Sequence, residues 1–278
     1  MGEPRDEWIQ APGGPRLYAR WRPAAEPRGT LVFVHGFGEH AGRYEHVLAA
    51  FDARGYGGLA FDRRGFGRSE GRRAFVRRFD EYLDDVDAAL AAAAERSGDG
   101  PPWLVGHSAG GLVALLHALE RPGRVAGLVV SAPALRFAVE APAWKRALGR
   151  LASRVWPTLA LPSGIEPELL THDRAIAAAT AADPLMALAP TARWYTEALD
   201  AQERVRARAG ELTPPLLVLG AGADRICDPA AVREIHGLAG SPDKDLRWYD
   251  GLYHELFNEL ERERVFDDVA AWLDRRGG

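Results

Sequence analysis

The chain is poor in several residue types that would bias its fold or function. It has one cysteine, Cys227, and Lys145, Lys244 and Asn258 are its only lysines and asparagine. A lone thiol cannot close an internal disulfide, and a zinc site built on several thiolates is excluded. No run approaches the roughly 18 consecutive apolar residues of a membrane-spanning helix. The opening residues MGEPRDEWIQAPGGPRLYARW are charged and broken by Pro and Gly, without the apolar core of a secretory signal. A cytoplasmic location, at most peripheral to a membrane, is therefore expected. Neither sign of charge dominates: 35 Lys+Arg against 39 Asp+Glu give −4, which offers no overall field for nucleic acid. The near-complete use of Arg over Lys fits a GC-rich genome or selection for heat tolerance.

The 278 residues, 47% of them hydrophobic, suit one large domain or a domain with an insertion. A folded chain of this size buries roughly three quarters of its unfolded surface, and the apolar content excludes intrinsic disorder. Short apolar runs alternate with helix-like stretches, the pattern of a mostly parallel α/β sheet with helices on both faces. The runs are Leu31 to Val34, Gly58 to Phe61, Trp103 to Val105, Val125 to Val130, Leu216 to Leu219 and Leu246 to Tyr249. A helix carries Phe79, Leu83, Val86 and Leu90 on one face and Asp80, Glu81, Asp84, Asp85 and Asp87 on the other. A helix follows from about Ala109 to Leu119, and another closes the chain from about Glu255 to Asp274. The alternation breaks in an Ala-, Pro-, Trp- and Arg-rich stretch. Core segments 1–133 and 207–278 are thus expected to flank a helical cap over 134–206.

Gly106-His107-Ser108-Ala109-Gly110 is a G-x-S-x-G between a strand and a helix, the setting that presents a serine hydroxyl on a strained turn. The helix N-terminus beneath it favours developing negative charge. A serine needs a base and the base an orienting acid, in the order Ser, Asp or Glu, His. Asp224 follows the strand ending at Leu219, and His254 follows the strand ending at Tyr249, both at the sheet edge where α/β proteins place ligands. Asp228 is the alternative acid. His46, His117, His172 and His236 read as helix or cap residues. His35-Gly36-Phe37-Gly38 follows the first buried strand, so the Phe37 and Ala109 N–H groups are the candidate oxyanion donors.

Trp144, Leu148, Leu151 and Val155 share a helical face, with Lys145, Arg146, Arg150 and Arg154 around the rest. The favoured reading packs this face over the active site as part of an acyl pocket with Phe137. The other lays it on a lipid surface in transient contact. Between Asp62 and Arg78, seven arginines stand against two acids, read as a solvated loop.

The segments HGFGEHAGRY, FDRRGFGRSEG, GHSAGG, GADRICDP and YDGLYHELFNE, in this order, resemble the monoacylglycerol lipase and lysophospholipase branch of the α/β-hydrolases. The resemblance spans the core and implies an eight-stranded α/β-hydrolase fold, a helical cap and a triad of Ser108, Asp224 and His254. It implies a serine carboxylester hydrolase working through an acyl-enzyme on a small lipid ester, with no metal or cofactor. Ala109 stands where that family usually has Met, which changes packing and not the backbone N–H. Haloalkane dehalogenases and epoxide hydrolases of this fold carry a carboxylate at the position of Ser108. Lysophospholipase, general esterase, acyltransferase and a triad-bearing, non-hydrolytic binding protein are the alternatives. Oligomeric state is not legible.

Overall fold

The chain opens with strands β1 (Arg5–Gln10) and β2 (Arg16–Arg22). It then alternates through β3 (Thr30–Val34), α1 (Glu45–Asp52), β4 (Gly57–Phe61), α2 (Glu81–Ser97), β5 (Trp103–His107), α3 (Ala109–Glu120) and β6 (Leu128–Ser131). Helices α4 (Ala143–Val155), α5 (Arg174–Ala182) and α6 (Ala192–Arg208) come next, then β7 (Leu216–Ala221), α7 (Pro229–Leu238), β8 (Lys244–Tyr249) and α8 (Arg262–Asp274). The computed structural model describes residues 3–98, 100–138 and 142–277, without the side chains of Ala143 and Lys145.

The eight strands form one sheet in the order β1-β2-β4-β3-β5-β6-β7-β8. Pairing is antiparallel for β1 with β2 and β2 with β4, and parallel from there on. Strands β3, β4, β5, β6 and β7 are buried at every residue, as continuous apolar runs in a doubly covered parallel sheet should be. The sheet separates two apolar layers: Leu112, Val113 and Leu116 of α3 pack on one face, Phe266, Val269 and Trp272 of α8 on the other.

The β1–β2 hairpin is absent from the sequence reading. Half of its edge strand is charged, as suits a sheet margin in water, and Trp8 is held edge-on against Tyr18 across the pair. The closing helix starts at Arg262 and not near Glu255, because Glu255 and Glu259 turn inward. Glu255 meets Arg43, and Glu259 accepts from the Tyr253 and His172 N–H groups. Asp85, expected on a solvated face, is fully buried and bound in two-pronged fashion by Arg64. The arginine-rich loop is likewise only partly solvated, since Arg63 is fully buried.

Between β6 and β7 the described residues form helices and no strand. The expected boundary at 206 falls inside α6, whose Trp194, Ala198, Ala201 and Val205 enter the main core.

Candidate active site

Ser108 is the one residue between β5 and α3. Its backbone sits at φ 51° and ψ −119°, a conformation costing a non-glycine residue on the order of 1–3 kcal/mol. The turn closes because its flanks have no side chains. A Cβ at Gly106 would lie 2.4 Å from the Gly110 carbonyl oxygen, and one at Gly110 2.0 Å from that of Val34.

Parallel strands put the remaining groups at the same edge. His254 follows β8 and Asp224 follows β7, and Ser108 Oγ donates to His254 Nε2 at 2.8 Å. His254 Nδ1 donates to Asp224 Oδ2 at 2.7 Å. The second Asp224 oxygen accepts from the Ile226 and Cys227 N–H groups, which fixes the carboxylate. All three side chains are buried. Burial disfavours the imidazolium, but the charge and hydrogen bond of Asp224, with Glu255 and Glu39 behind, hold the His254 pKa above the usual imidazole value. Asp228 is engaged elsewhere: it caps α7 through the Ala230 N–H and pairs with Arg136 at 2.7 Å.

The Phe37 N–H follows β3 and the Ala109 N–H opens α3. Among the described residues neither donates within the protein. Gly36 brings the first loop against the serine, since a Cβ there would lie 3.2 Å from Ser108 Cβ. The Phe37 ring is held by Trp194 at 4.2 Å and Phe66 at 5.6 Å between centroids. Cys227 lies beside Ser108, and burial together with the Asp224 charge pushes its thiol well above the usual range, so it stays protonated.

Sequence reasoning missed a buried polar layer behind His254. His107 packs its ring 4.9 Å from that of His254, and burial and the neighbouring imidazole push it down to about 3, so it stays neutral. Glu39 accepts from Tyr44, and Glu255 from Arg43 and Asn258. The only signal was adjacency, Glu39 in HGFGEH and Glu255 after His254. Two trios, Asp224–Cys227–His254 and Glu39–His107–Glu255, bring metal-type ligand atoms within 4.8 Å of one another. In the first the Asp224–His254 bond occupies the site, and in the second the Arg43 cation already opposes Glu255.

The segment between β6 and β7 ties itself to both loops beside Ser108. Asp183 accepts from His40 at 2.8 Å, and the Ala187 N–H donates to the Gly38 carbonyl at 2.9 Å. On the other side the Glu255 N–H donates to the Leu170 carbonyl, and the His172 ring stacks on Tyr253 at 3.7 Å. Helix α4 departs from the favoured expectation. Trp144, Leu148, Leu151 and Val155 are 64%, 58%, 55% and 73% exposed and face outward. Small Ser153, buried and hydrogen-bonded to Thr196, faces α6 instead, which leaves the bulky residues on the opposite side of the helix. Arg146, Arg150 and Arg154 are also exposed, while the Lys145 side chain lies outside the described residues. Phe137 is half-buried and stacked on Tyr195.

This sheet order, with the serine after β5, the acid after β7 and the histidine after β8, defines an α/β-hydrolase. The chain belongs to the family described as serine aminopeptidase, S33, matched over residues 25–261, and within it to the monoacylglycerol lipase branch. It is 34% identical to the monoacylglycerol lipase of Mycolicibacterium smegmatis over 94% of each chain. It is also 34% identical to Phospholipase YtpA of Bacillus subtilis, over 92% of this chain and 98% of that one. The solved structure of Paleococcus ferrophilus monoacylglycerol lipase matches with a TM-score of 0.85 at 31% identity, over 94% of this chain and 99% of that one. Among the described residues no helix is long and apolar enough to cross a membrane.

Proposed function

We propose that the protein hydrolyses the carboxylic ester of monoacylglycerols or similar single-chain lipids, with Ser108, His254 and Asp224 as its catalytic residues. The observation that carries this reading is the chain of hydrogen bonds from Ser108 Oγ through His254 to Asp224, at 2.8 and 2.7 Å. Ser108 Oγ bonds to the ester carbon as its proton passes to His254 Nε2. The carbonyl oxygen becomes an oxyanion facing the Phe37 and Ala109 N–H groups. The intermediate collapses by breaking the bond to the alcohol, which leaves with the His254 proton. Water, deprotonated by the same nitrogen, then releases the fatty acid, while Asp224 keeps the ring oriented. The segment 134–206, rooted in the core through α6, serves as the cap over core segments 1–133 and 207–278.

The relatives named for monoacylglycerol hydrolysis support this substrate class. A second reading, lysophospholipid hydrolysis, is favoured by the equally similar relative named a phospholipase. The outward α4 face, with Trp144, Leu148 and Leu151 beside exposed arginines, supports transient contact with a lipid surface and not a part in the acyl pocket.

Monooleoylglycerol, lysophosphatidylcholine and p-nitrophenyl esters from acetyl to palmitoyl, offered to wild type and Ser108→Ala, test the reading. Monooleoylglycerol should be turned over fastest among the lipids, and Ser108→Ala should lower kcat by about 10⁴–10⁶. Retained activity in that variant removes Ser108 from the mechanism. Preference for the lysolipid selects the second reading, and activity confined to acetyl esters removes both.

A further inference from the structure

Arg63 is a fully buried cation that the reaction scheme above leaves without a task. Its neighbour Arg64 is neutralised by Asp85, but among the described residues no carboxylate lies within ion-pair distance of Arg63. Its guanidinium lies over the rings of Phe66 and Tyr82, at 5.0 and 4.7 Å from their centroids. Nη2 donates to the Gly36 carbonyl at 2.8 Å, while Nε and Nη1 have no hydrogen-bond partner. A buried cation held by two ring faces and one carbonyl is costly, so its placement calls for a reason.

The hydrogen bonds around it converge on one peptide unit. The Arg63 backbone N–H donates to His35 Nε2 at 3.0 Å, which requires a lone pair there and puts the ring proton on Nδ1. His35 Nδ1–H then donates to the same Gly36 carbonyl at 2.7 Å. Burial and the Arg63 charge keep His35 well below the usual imidazole range, consistent with this neutral tautomer. The Gly36 oxygen thus takes two hydrogen bonds, one from a cation. The nitrogen of that amide belongs to Phe37, one of the two oxyanion donors. C=O and N–H are conjugated across a planar peptide and point opposite ways. Drawing electron density onto the oxygen makes the N–H a stronger donor, and clamping the oxygen fixes where the N–H aims.

We propose that Arg63 is a positioning residue for the oxyanion hole, its buried guanidinium polarising and locking the Gly36–Phe37 peptide with neutral His35 as the second clamp. The proposal rests on the reading of Phe37 as an oxyanion donor in ester hydrolysis. A stray cation under the loop would otherwise lower stability with no return in rate.

Arg63→Met removes the guanidinium and its charge while keeping an unbranched apolar stem, and Arg63→Lys keeps a cation at the end of such a stem. Three quantities are measured for each folded variant. The first is kcat and KM on p-nitrophenyl butyrate, normalised to active sites by burst titration. The second is Ki for an alkyl trifluoromethyl ketone. There Ser108 Oγ adds to the carbonyl carbon, the oxygen becomes an oxyanion and the hydroxyl proton moves to His254. The third is the infrared carbonyl stretch of the acyl-enzyme, which falls as the oxyanion hole polarises it. Arg63→Met should lower kcat by about 10²-fold, the scale of one lost oxyanion donor, with KM within threefold. The ketone should weaken by the same factor, and the acyl carbonyl should move to higher wavenumber. Arg63→Lys should keep kcat and the ketone Ki within about tenfold of wild type, with the carbonyl stretch nearer the wild-type position than that of Arg63→Met. A Met variant within threefold of wild type per active site overturns the proposal, as does a fall in kcat with an unmoved ketone Ki and carbonyl stretch. If Met prevents folding, a folded Lys variant with the full 10²-fold loss overturns it. An inactive wild type would instead sink the ester-hydrolase reading on which it rests.

Discussion

In the proposed mechanism a neutral His254 accepts a proton from Ser108, and every charge near that ring bears on how often it is neutral. Burial lowers its proton affinity, but Asp224, Glu255 and Glu39 together raise it above the ordinary value of 6.5. A protonated ring cannot act as the base, so activity rises with pH, and the raised affinity moves that rise upward. The acid limb of kcat/KM should therefore have its midpoint above 6.5. A midpoint below that value would mean that another group governs the limb. Asp224→Asn should lower kcat by about 10⁴, since the amide favours the wrong tautomer. Asp228→Asn should keep activity within a few-fold, because it retains a helix cap and sits on Arg136 and not on His254. The reverse order would transfer the orienting role. These three residues were legible because each follows a strand at a fixed place in the chain. Arg63, His107, Glu39 and Glu255 were not, since whether a polar residue is buried depends on what the folded chain lays over it.

Helix α2 shows why the elements were read unevenly. Its large apolar residues mark one stripe, but Ala88, Ala89, Ala92 and Ala93 widen the buried face, and Asp85 lies three residues after Tyr82 and four before Ala89 on that wider face. Alanines give weak contrast between a core face and helix filler, so Asp85 passed for a surface acid. Arg64 contributes both a backbone N–H and its guanidinium to that carboxylate. Arg64→Met leaves Asp85 without its cation and should destabilise the fold by about 3–5 kcal/mol. Arg264→Met breaks an exposed pair with Glu261 and should change stability by less than about 1 kcal/mol. Urea denaturation of both checks this, and equal midpoints would mean that the Arg64–Asp85 pair adds nothing. The parallel strands were read well because a strand buried on both faces is apolar throughout. The β1–β2 hairpin was missed because a charged edge lacks that mark.

At the scale of the whole molecule the segment proposed as the cap has two different sides. Its outer helix puts Trp144, Leu148, Leu151 and Val155 in contact with solvent, an arrangement that costs solubility unless a lipid surface covers it. Leu148→Glu combined with Leu151→Glu should abolish co-sedimentation with phosphatidylglycerol vesicles and leave hydrolysis of p-nitrophenyl acetate within twofold. Binding that survives both changes would remove α4 from the contact. The cap's inner segments grip the loops beside Ser108 through Asp183, Ala187, Leu170 and His172. The part that meets the surroundings is thus separate in sequence from the part that braces the chemistry. Substitutions on the outer helix can therefore change what the molecule touches, while segment 170–187 keeps its hydrogen bonds to the loops beside Ser108.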